Sequence, residues 1–112
     1  MADDCLFCKI VAGDVPATKV CEDEHTVTFT DINPQAPSHV LVVPKQHHAD
    51  LVELSADPLA SAALLRAVAA SAKTLGLDEF RSVINTGAGA GQSVFHVHAH
   101  VLGGRPMGWP PG

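Results

Sequence analysis

The stretch HVHAHV, residues 96–101, places three histidines at alternate positions with apolar residues between them. Successive side chains of a β-strand point to opposite faces. This spacing therefore predicts a strand with His96, His98 and His100 on one face and the apolar residues packed into the other. Neighbours on one face of a strand lie roughly 6.5 to 7 Å apart, so the three imidazoles form a row and define a candidate site.

Three interpretations of this row are open. The first is a solvated strand face, although such faces usually carry lysine, threonine or glutamate. The second is a catalytic metal held by two or three of the histidines, although no acidic residue follows Asp78 and Glu79 to complete or orient such a site. The third is nucleophilic catalysis. A partly neutral imidazole attacks an electrophile directly, while a second imidazole contacts phosphate or carries a proton.

The composition is that of an ordinary globular protein. With 112 residues, 46% of them apolar, the chain is long enough for one core, and we expect a single domain over residues 1–112. A net charge of −5 argues against general affinity for nucleic acid or anionic membranes. The N-terminal residues MADDCLFCKI lack the features of a signal peptide. We therefore expect a cytoplasmic protein whose three cysteines are thiols or metal ligands.

The first half of the chain predicts a short helix followed by strands. CLFCKIVAG has apolar residues at helical spacing and ends at Gly13, a plausible C-cap. A brief extended piece is expected at 20–21. HTVTFTDI alternates, with Val27 and Phe29 against threonines, which predicts a half-buried strand. HVLVVPK is rich in β-branched residues and predicts a buried strand that ends at Pro44.

The second half predicts one long helix and two further strands. Asp57 and Pro58 are typical of a helix start, and the helix is expected over residues 59–75 and to end at Gly76. FRSVINT and SVFHVHAHVL are predicted strands joined by a short glycine loop at 87–91, and strands joined in this way are antiparallel. The order of elements indicates an α+β domain with an antiparallel sheet and the long helix on one face.

Long blocks of the sequence resemble the histidine triad (HIT) family. HVHAHVL fits the family pattern His-φ-His-φ-His-φ-φ, where φ is an apolar residue. CLFCKIVAGDVPA, DINPQAPSHVLVVPKQH and GQSVFHVHAHVLGGRPMGWPPG are similar to its nucleotide-binding branch, in this order and over nearly the whole chain. The resemblance implies the HIT fold, a five-stranded antiparallel sheet with one long and one short helix. It also implies a dimer in which the tail, about residues 103–112, crosses to the other subunit.

The resemblance implies a homodimeric hydrolase of purine nucleoside phosphoramidates that needs no cofactor for its chemistry. His98 would attack the α-phosphorus and become nucleotidylated, and water would then release the nucleoside monophosphate. His39, His100 and Ser93 are implied to assist the nucleophile and to contact the phosphate and leaving group. Two alternatives stay open: dinucleoside polyphosphate hydrolysis or nucleotidyl transfer, and a nucleotide-binding scaffold with incidental turnover.

A purine nucleotide site is implied in the same way. It comprises an apolar slot for the base, a carboxylate for the ribose, phosphate-side polar and loop residues, and the triad itself: Phe7, Phe29, Asp31, Ile32, Leu41, Asn85, Gly91, Gln92, Ser93, Val94, His98 and His100. Core packing explains the apolar members equally well. The glycine loop either presents amides to phosphate or is a plain connection, and it lacks the Gly-Lys-Ser/Thr of a P-loop.

The pair Cys5 and Cys8 has the spacing of zinc ligands, and two packed thiols one helical turn apart are the other interpretation. Some HIT proteins complete such a pair with the histidine after Pro-Lys and with the first triad histidine. The resemblance therefore implies a closed structural zinc site of Cys5, Cys8, His47 and His96. Only alignment favours His47 over the adjacent His48.

Overall fold

The computed structural model describes residues 4–112, which form a five-stranded antiparallel sheet with strand order β1-β2-β3-β5-β4. The strands are β1 (Lys19–Glu22), β2 (Thr26–Thr30), β3 (Ser38–Pro44), β4 (Arg81–Val83) and β5 (Ala99–Gly103). The helices are α1 (Leu6–Ala12), α2 (Leu51–Ser55) and α3 (Pro58–Thr74). The predicted α+β class and five-stranded antiparallel sheet are confirmed. Within residues 4–112, none of the helices is long and apolar enough to span a membrane.

Hydrophobic clusters cover both faces of the sheet. The cluster on the α3 face consists of Val40, Val42, Leu54, Leu64, Ala67, Val68, Ala72, Val97, Ala99 and Val101. The cluster on the α1 face consists of Phe7, Ile10, Val27, Phe29, Leu41 and Val43. Strand β3 lies in the middle of the sheet and supplies alternate side chains to both clusters, which explains its uninterrupted apolar sequence.

The predicted signals at the ends of the helices are present. The side chain of Asp57 accepts a hydrogen bond from the Ala60 N–H at 3.0 Å and caps α3. Beyond α1 the chain turns at Gly13, whose φ of 83° is in the left-handed region. Gly76 has a φ of 72° directly after α3. These residues define where α1 ends and where α3 begins and ends.

Strand β2 is buried more completely than predicted. Thr26 and Thr28 are buried, because α1 covers one face of the sheet and α3 the other. The Thr28 hydroxyl oxygen lies 2.8 Å from that of Ser71 in α3, and Cys21 Sγ lies 3.3 Å from the same oxygen. The prediction of a half-buried strand is therefore wrong at Thr26 and Thr28, whereas Thr30 is exposed. The Ser71 hydroxyl of α3 provides Thr28 with a hydrogen-bonding partner.

A third helix was missed. The resemblance implied one long and one short helix, whereas α2 is an additional turn of helix between β3 and α3. The side chain of Asp50 accepts a hydrogen bond from the Glu53 N–H at 2.9 Å and caps this helix. An acidic residue followed three positions later by glutamate is a known signal for a helix start.

The histidine strand is shorter than predicted. Strand β5 begins at Ala99, so only His100 of the three histidines lies in a strand. Residues 84–98 form a long connection between β4 and β5 that contains a 3₁₀ turn at Ala88–Ala90. The prediction of a short hairpin loop at 87–91 is wrong, although β4 and β5 are antiparallel as expected.

Gln92 explains why this connection replaces a hairpin. Its side-chain oxygen accepts a hydrogen bond from the Gly87 N–H at 2.9 Å, and its side-chain nitrogen donates to the Ala49 carbonyl at 2.8 Å. The Val97 N–H donates to the His48 carbonyl at 2.8 Å. Backbone groups of the connection are thus satisfied by a buried amide and by the segment after β3, rather than by a strand ladder.

The tail beyond β5 has no regular structure but is attached to the domain. The Arg105 side chain donates to the Gln35 carbonyl at 2.9 Å, and the Arg81 side chain donates to the Gly108 carbonyl at 2.9 Å. The indole of Trp109 is 84% exposed. The crossing of this tail to a second subunit remains a prediction.

Candidate active site and metal cluster

The three histidines keep the predicted alternation although two of them precede β5. Val97 and Ala99 point into the cluster under α3. The rings of His96 and His98 lie on the α1 side, with centroids 6.0 and 5.0 Å from the ring of Phe7. The rings of His98 and His100 are 5.1 Å apart, closer than an ideal strand would place them.

His98 is held in one tautomer by the backbone. Its Nδ1 lies 2.8 Å from the carbonyl oxygen of His96. A carbonyl only accepts, so Nδ1 carries the hydrogen and Nε2 of the neutral ring has a free lone pair. Burial lowers the pKa of His98, whereas the hydrogen bond to the His96 carbonyl acts in the opposite direction. The net lowering of the pKa favours the neutral ring near pH 7. The ring also packs edge-on against Phe7 at an interplanar angle of 87°.

A chain of hydrogen bonds fixes the tautomers of His39 and His100. The Gln35 N–H donates to His39 Nδ1 at 3.0 Å, which leaves the hydrogen of His39 on Nε2. That nitrogen lies 3.0 Å from His100 Nδ1 and donates to it. The hydrogen of His100 is therefore on Nε2, where it is a donor for an incoming group. The Asp31 carboxylate lies beside this chain, with Oδ2 3.4 Å from His39 Nε2.

Asp31, His39 and His100 lie close enough together to resemble a metal-ligand set. The backbone N–H on His39 Nδ1 argues against this use, because it makes the other ring nitrogen a donor rather than a ligand. Instead, His39 and His100 are hydrogen-bonded to each other, and the Asp31 carboxylate lies beside them. Burial, followed by the proximity of His98 and His39, lowers the pKa of His100 to about 4.

This lowered pKa predicts a pH-dependent stability. Unfolded His100 takes up a proton near pH 6.5, whereas the folded residue takes it up only near pH 4. The free energy of unfolding is therefore expected to fall as the pH decreases from about 6.5 towards 4. Urea denaturation of the wild type and of His100→Asn across this range measures the effect. The wild type should lose stability relative to the variant, and equal slopes for both proteins would contradict the prediction.

The predicted metal ligands come together in one place, here called the Cys2His2 cluster: Cys5, Cys8, His47 and His96. His96 Nδ1 lies 3.4 Å from each of the two sulfurs and 3.2 Å from His47 Nδ1. A tetrahedral zinc ion holds two nitrogens about 3.3 Å apart and a nitrogen and a sulfur about 3.5 Å apart. The four donor atoms thus fit a zinc ion, and the histidine that lies beside His96 in this cluster is His47 rather than His48.

The surroundings of His96 support this assignment. Its Nε2 lies 2.7 Å from the Pro44 carbonyl and donates to it, so Nδ1 has its lone pair directed at the other donors. A ligating histidine whose second nitrogen donates to a carbonyl is typical of zinc sites. Burial lowers the pKa of His96 to about 4 and favours the neutral ring that a metal requires.

The residues predicted for the base and the ribose separate into two groups. Phe29, Asp31 and Ile32 line a groove of about 380 Å³ together with Ile10 and the Pro16–Thr18 segment. Phe7 and Leu41 are buried in the cluster on the α1 face. Asp31 lines this groove and also lies beside His39, so the groove leads to the histidines.

The phosphate-side residues lie in the connection before β5. Ser93 and Val94 line a second depression, of about 470 Å³, beside Cys5 and His47 of the Cys2His2 cluster. The Asn85 side chain lies next to Gly91, where a β-carbon would be 3.6 Å from the amide nitrogen. The Gln92 amide is occupied by backbone partners and shapes this loop. Contacts of these residues with phosphate remain predictions.

The fold and this site define a class of small α+β domains with a row of imidazoles beside a groove. The HIT domain family model matches residues 12–107. An uncharacterised HIT-like protein of Synechocystis sp. is 50% identical, covering the full length of both chains. The 14 kDa zinc-binding protein of Zea mays is 44% identical over 96% of this chain and 87% of that protein.

The crystal structure of a HIT family hydrolase from Legionella pneumophila superposes with a TM-score of 0.91. It shares 47% sequence identity, covering 96% of this chain and 99% of that chain. The chain belongs to the HIT domain family.

Proposed function

We propose that this protein hydrolyses purine nucleoside 5′-phosphoramidates through a covalent nucleotidyl-His98 intermediate. The observation that supports this most directly is the fixed tautomer of His98, which leaves Nε2 as a free nucleophile in a nearly buried ring. Two further observations agree with it. The adjacent groove has a carboxylate at one end, and the Legionella pneumophila relative is a HIT family hydrolase.

In the first step, His98 Nε2 attacks the α-phosphorus and the P–N bond breaks. The electron pair of that bond goes to the amine nitrogen, which takes a proton from solvent water as it leaves. Meanwhile the His96 carbonyl stabilises the positive charge that develops on the His98 ring, since it accepts the Nδ1 hydrogen. The Nε2–H of His100 is a donor for a phosphate oxygen, and His39 holds His100 in this tautomer.

In the second step, water attacks the phosphorus and the bond to His98 Nε2 breaks. The products are a nucleoside monophosphate, a proton and neutral His98, so the proton consumed in the first step is returned. The lowered pKa values of His98 and His100 keep both rings neutral, so that His98 is ready for another attack and His100 remains a donor through Nε2–H. Ser93 is proposed to contact the leaving group from the exposed loop before the histidines.

The Cys2His2 cluster is proposed to hold one structural zinc ion through the residues Cys5, Cys8, His47 and His96. A zinc ion with four protein ligands has no open position, so it would supply a cross-link and no chemistry to the substrate. The name of the Zea mays relative as a zinc-binding protein agrees with this proposal.

A substrate panel tests the activity. Adenosine and guanosine 5′-phosphoramidates are expected to be hydrolysed with a higher kcat/KM than diadenosine polyphosphates. The reverse order would favour the alternative of dinucleoside polyphosphate hydrolysis or nucleotidyl transfer. A nucleotide-binding scaffold, the alternative from another class, would bind adenylate tightly and keep its effects on partners after substitution of His98.

Asp31 is proposed to accept hydrogen bonds from the ribose hydroxyls. The change Asp31→Asn is expected to raise KM for the ribonucleotide substrate at least about tenfold, since a hydrogen bond to a charged group contributes about 1.5 to 3 kcal/mol. The control substrate is the 2′-deoxy analogue, for which Asp31→Asn should change KM less than it does for the ribonucleotide. Steady-state kinetics on both substrates measures the difference, and equal losses on the two would exclude a ribose contact.

A homodimer is also proposed, with the tail of each chain near the site of the other. Sedimentation at several concentrations is expected to give twice the mass of the chain. Removal of residues 104–112 should alter the preference among amine leaving groups more than it alters the binding of the nucleoside monophosphate. An unchanged leaving-group preference would argue against a role for the tail.

A further inference from the structure

The Cys2His2 cluster and the ring of His98 are connected by two independent contacts. We propose that metal binding in this cluster positions the nucleophile, with His96 and Phe7 as the positioning residues between them. The inference deepens the proposed function and rests on it for its kinetic test. Its spectroscopic test needs no substrate and stands apart from that function.

His96 makes the first contact, because its ring faces the Cys2His2 cluster while its backbone carbonyl faces His98. Its Nδ1 lies among the cluster donors and its Nε2 donates to the Pro44 carbonyl. Its own carbonyl oxygen accepts the Nδ1 hydrogen of His98 at 2.8 Å. His96 is fully buried, and a metal bond to Nδ1, together with the hydrogen bond from Nε2, would hold its ring at both nitrogens. The carbonyl that sets the tautomer of His98 would be fixed with it.

The second contact passes through α1. Phe7 lies between Cys5 and Cys8 in the sequence, and its ring packs edge-on against His98 with centroids 5.0 Å apart. The same ring also contacts Phe29, with centroids 5.5 Å apart. A helix of seven residues is too short to be stable alone. Two thiolates bound to one metal ion would therefore anchor the start of α1 and keep Phe7 against the nucleophile.

The position of the cluster leads us to expect that a metal bound there exchanges without unfolding of the domain. Cys5, Cys8 and His47 are only partly buried, and Cys5 and His47 line the open depression of about 470 Å³. The main hydrophobic cluster lies on the opposite face of the sheet, under α3. Removal of the metal is thus expected to loosen α1 and the segment around His96 while the sheet persists.

The spectroscopic test uses the wild-type protein labelled with ¹⁵N-histidine, with zinc bound and after removal of zinc by a chelator. His98 is assigned by comparison with His98→Ala. In the zinc-bound protein His98 should show a single Nδ1–H tautomer, and its Nδ1 hydrogen should exchange slowly with water. Without zinc, the ring should show a mixture of tautomers with fast exchange, and added zinc should restore the first spectrum. An unchanged His98 signal in the zinc-free, folded protein would overturn the proposal.

The kinetic test compares two single cysteine substitutions. Cys8→Ser removes a cluster donor, whereas Cys21→Ser changes the cysteine outside the cluster, whose sulfur contacts Ser71. Cys8→Ser is expected to lower kcat by roughly tenfold or more with little change in KM, as is typical when support around a site is lost. Cys21→Ser should keep both the zinc and the activity. Equal kcat values in the two variants would contradict the proposal.

A further variant covers the case in which Cys8→Ser does not fold. Phe7→Leu leaves the four donor atoms in place, so zinc content should be unchanged. It removes the aromatic edge from His98, and kcat should fall while circular dichroism stays the same. An unaltered kcat in a zinc-loaded Phe7→Leu protein would exclude Phe7 as a positioning residue. If the zinc-loaded wild type turns over no phosphoramidate, the proposed function fails, and the tautomer measurement still decides the coupling.

Discussion

Replacing His98 by alanine is expected to reduce the hydrolysis of adenosine 5′-phosphoramidate by a factor on the order of 10⁴ or more. The reason is that no other group supplies the lone pair of Nε2, which the hydrogen bond from Nδ1 to the His96 carbonyl leaves free. Steady-state kinetics of the purified variant measures this loss. Binding of the nucleoside monophosphate should be retained, because the groove lined by Phe29, Asp31 and Ile32 is unchanged.

His25→Ala is the matched control for this substitution. The His25 side chain is exposed and lies beside Glu24, outside the proposed site, so its loss should leave the rate unchanged. Mass spectrometry of the wild type quenched during turnover should reveal a nucleotide on the peptide that contains His98, and the alanine variant should carry none. A loss of less than tenfold in His98→Ala would refute a nucleophilic role.

Removal of zinc is expected to lower Tm by more than about 10 °C. Zinc binding contributes roughly 10 to 16 kcal/mol to the folding of zinc-finger peptides, and in a domain of this size each kcal/mol is worth a few degrees. Only part of that energy is expected here, because the chain has two hydrophobic clusters of its own. Differential scanning calorimetry with and without a chelator measures the shift.

The controls for zinc removal are variants of the cysteines. A double variant, Cys5→Ser with Cys8→Ser, should melt at the lower temperature and should not respond to the chelator. Cys21→Ser should bind zinc like the wild type, since its sulfur lies outside the cluster. Elemental analysis that finds no zinc in the wild type purified without chelator would exclude a structural role for this metal.

The parts of the fold that were predictable have strong local signals. Asp57 and Pro58 start α3, and the helix ends before Gly76 as expected. Strand β3 was predicted from its β-branched residues. Strand β2 was misjudged because alternation of valine and threonine shows which side chains share a face but not whether a helix covers that face. Its burial depends on α3, which is distant in the sequence.

The side chains of the candidate site could be predicted from the sequence, whereas the backbone groups that contact them could not. The three alternate histidines, the cysteine pair and His39 are visible as residue types at defined spacings. The groups that fix the tautomers are the Gln35 N–H and the carbonyls of Pro44 and His96. Because nearly every residue has an N–H and every residue has a carbonyl, only the folded structure shows which of them meet an imidazole.

The apolar residues of the base slot illustrate the same limit. Phe7 and Ile32 are both large and apolar, and the resemblance to the HIT family implied the same role for both. Phe7 is buried beside His98, whereas Ile32 is fully exposed at the edge of the groove. Their difference in burial arises from the position of α1 on the sheet, which no short-range sequence pattern defines.

The exposed indole of the tail has a practical consequence for measurement. The chain has one tryptophan and no tyrosine, so its intrinsic emission reports on Trp109 alone. An indole in water emits at a longer wavelength than one covered by protein. If a second copy of the chain packs over the tail, dilution should shift the emission to the red as the copies separate, and an ordinary fluorimeter then follows assembly without any added dye.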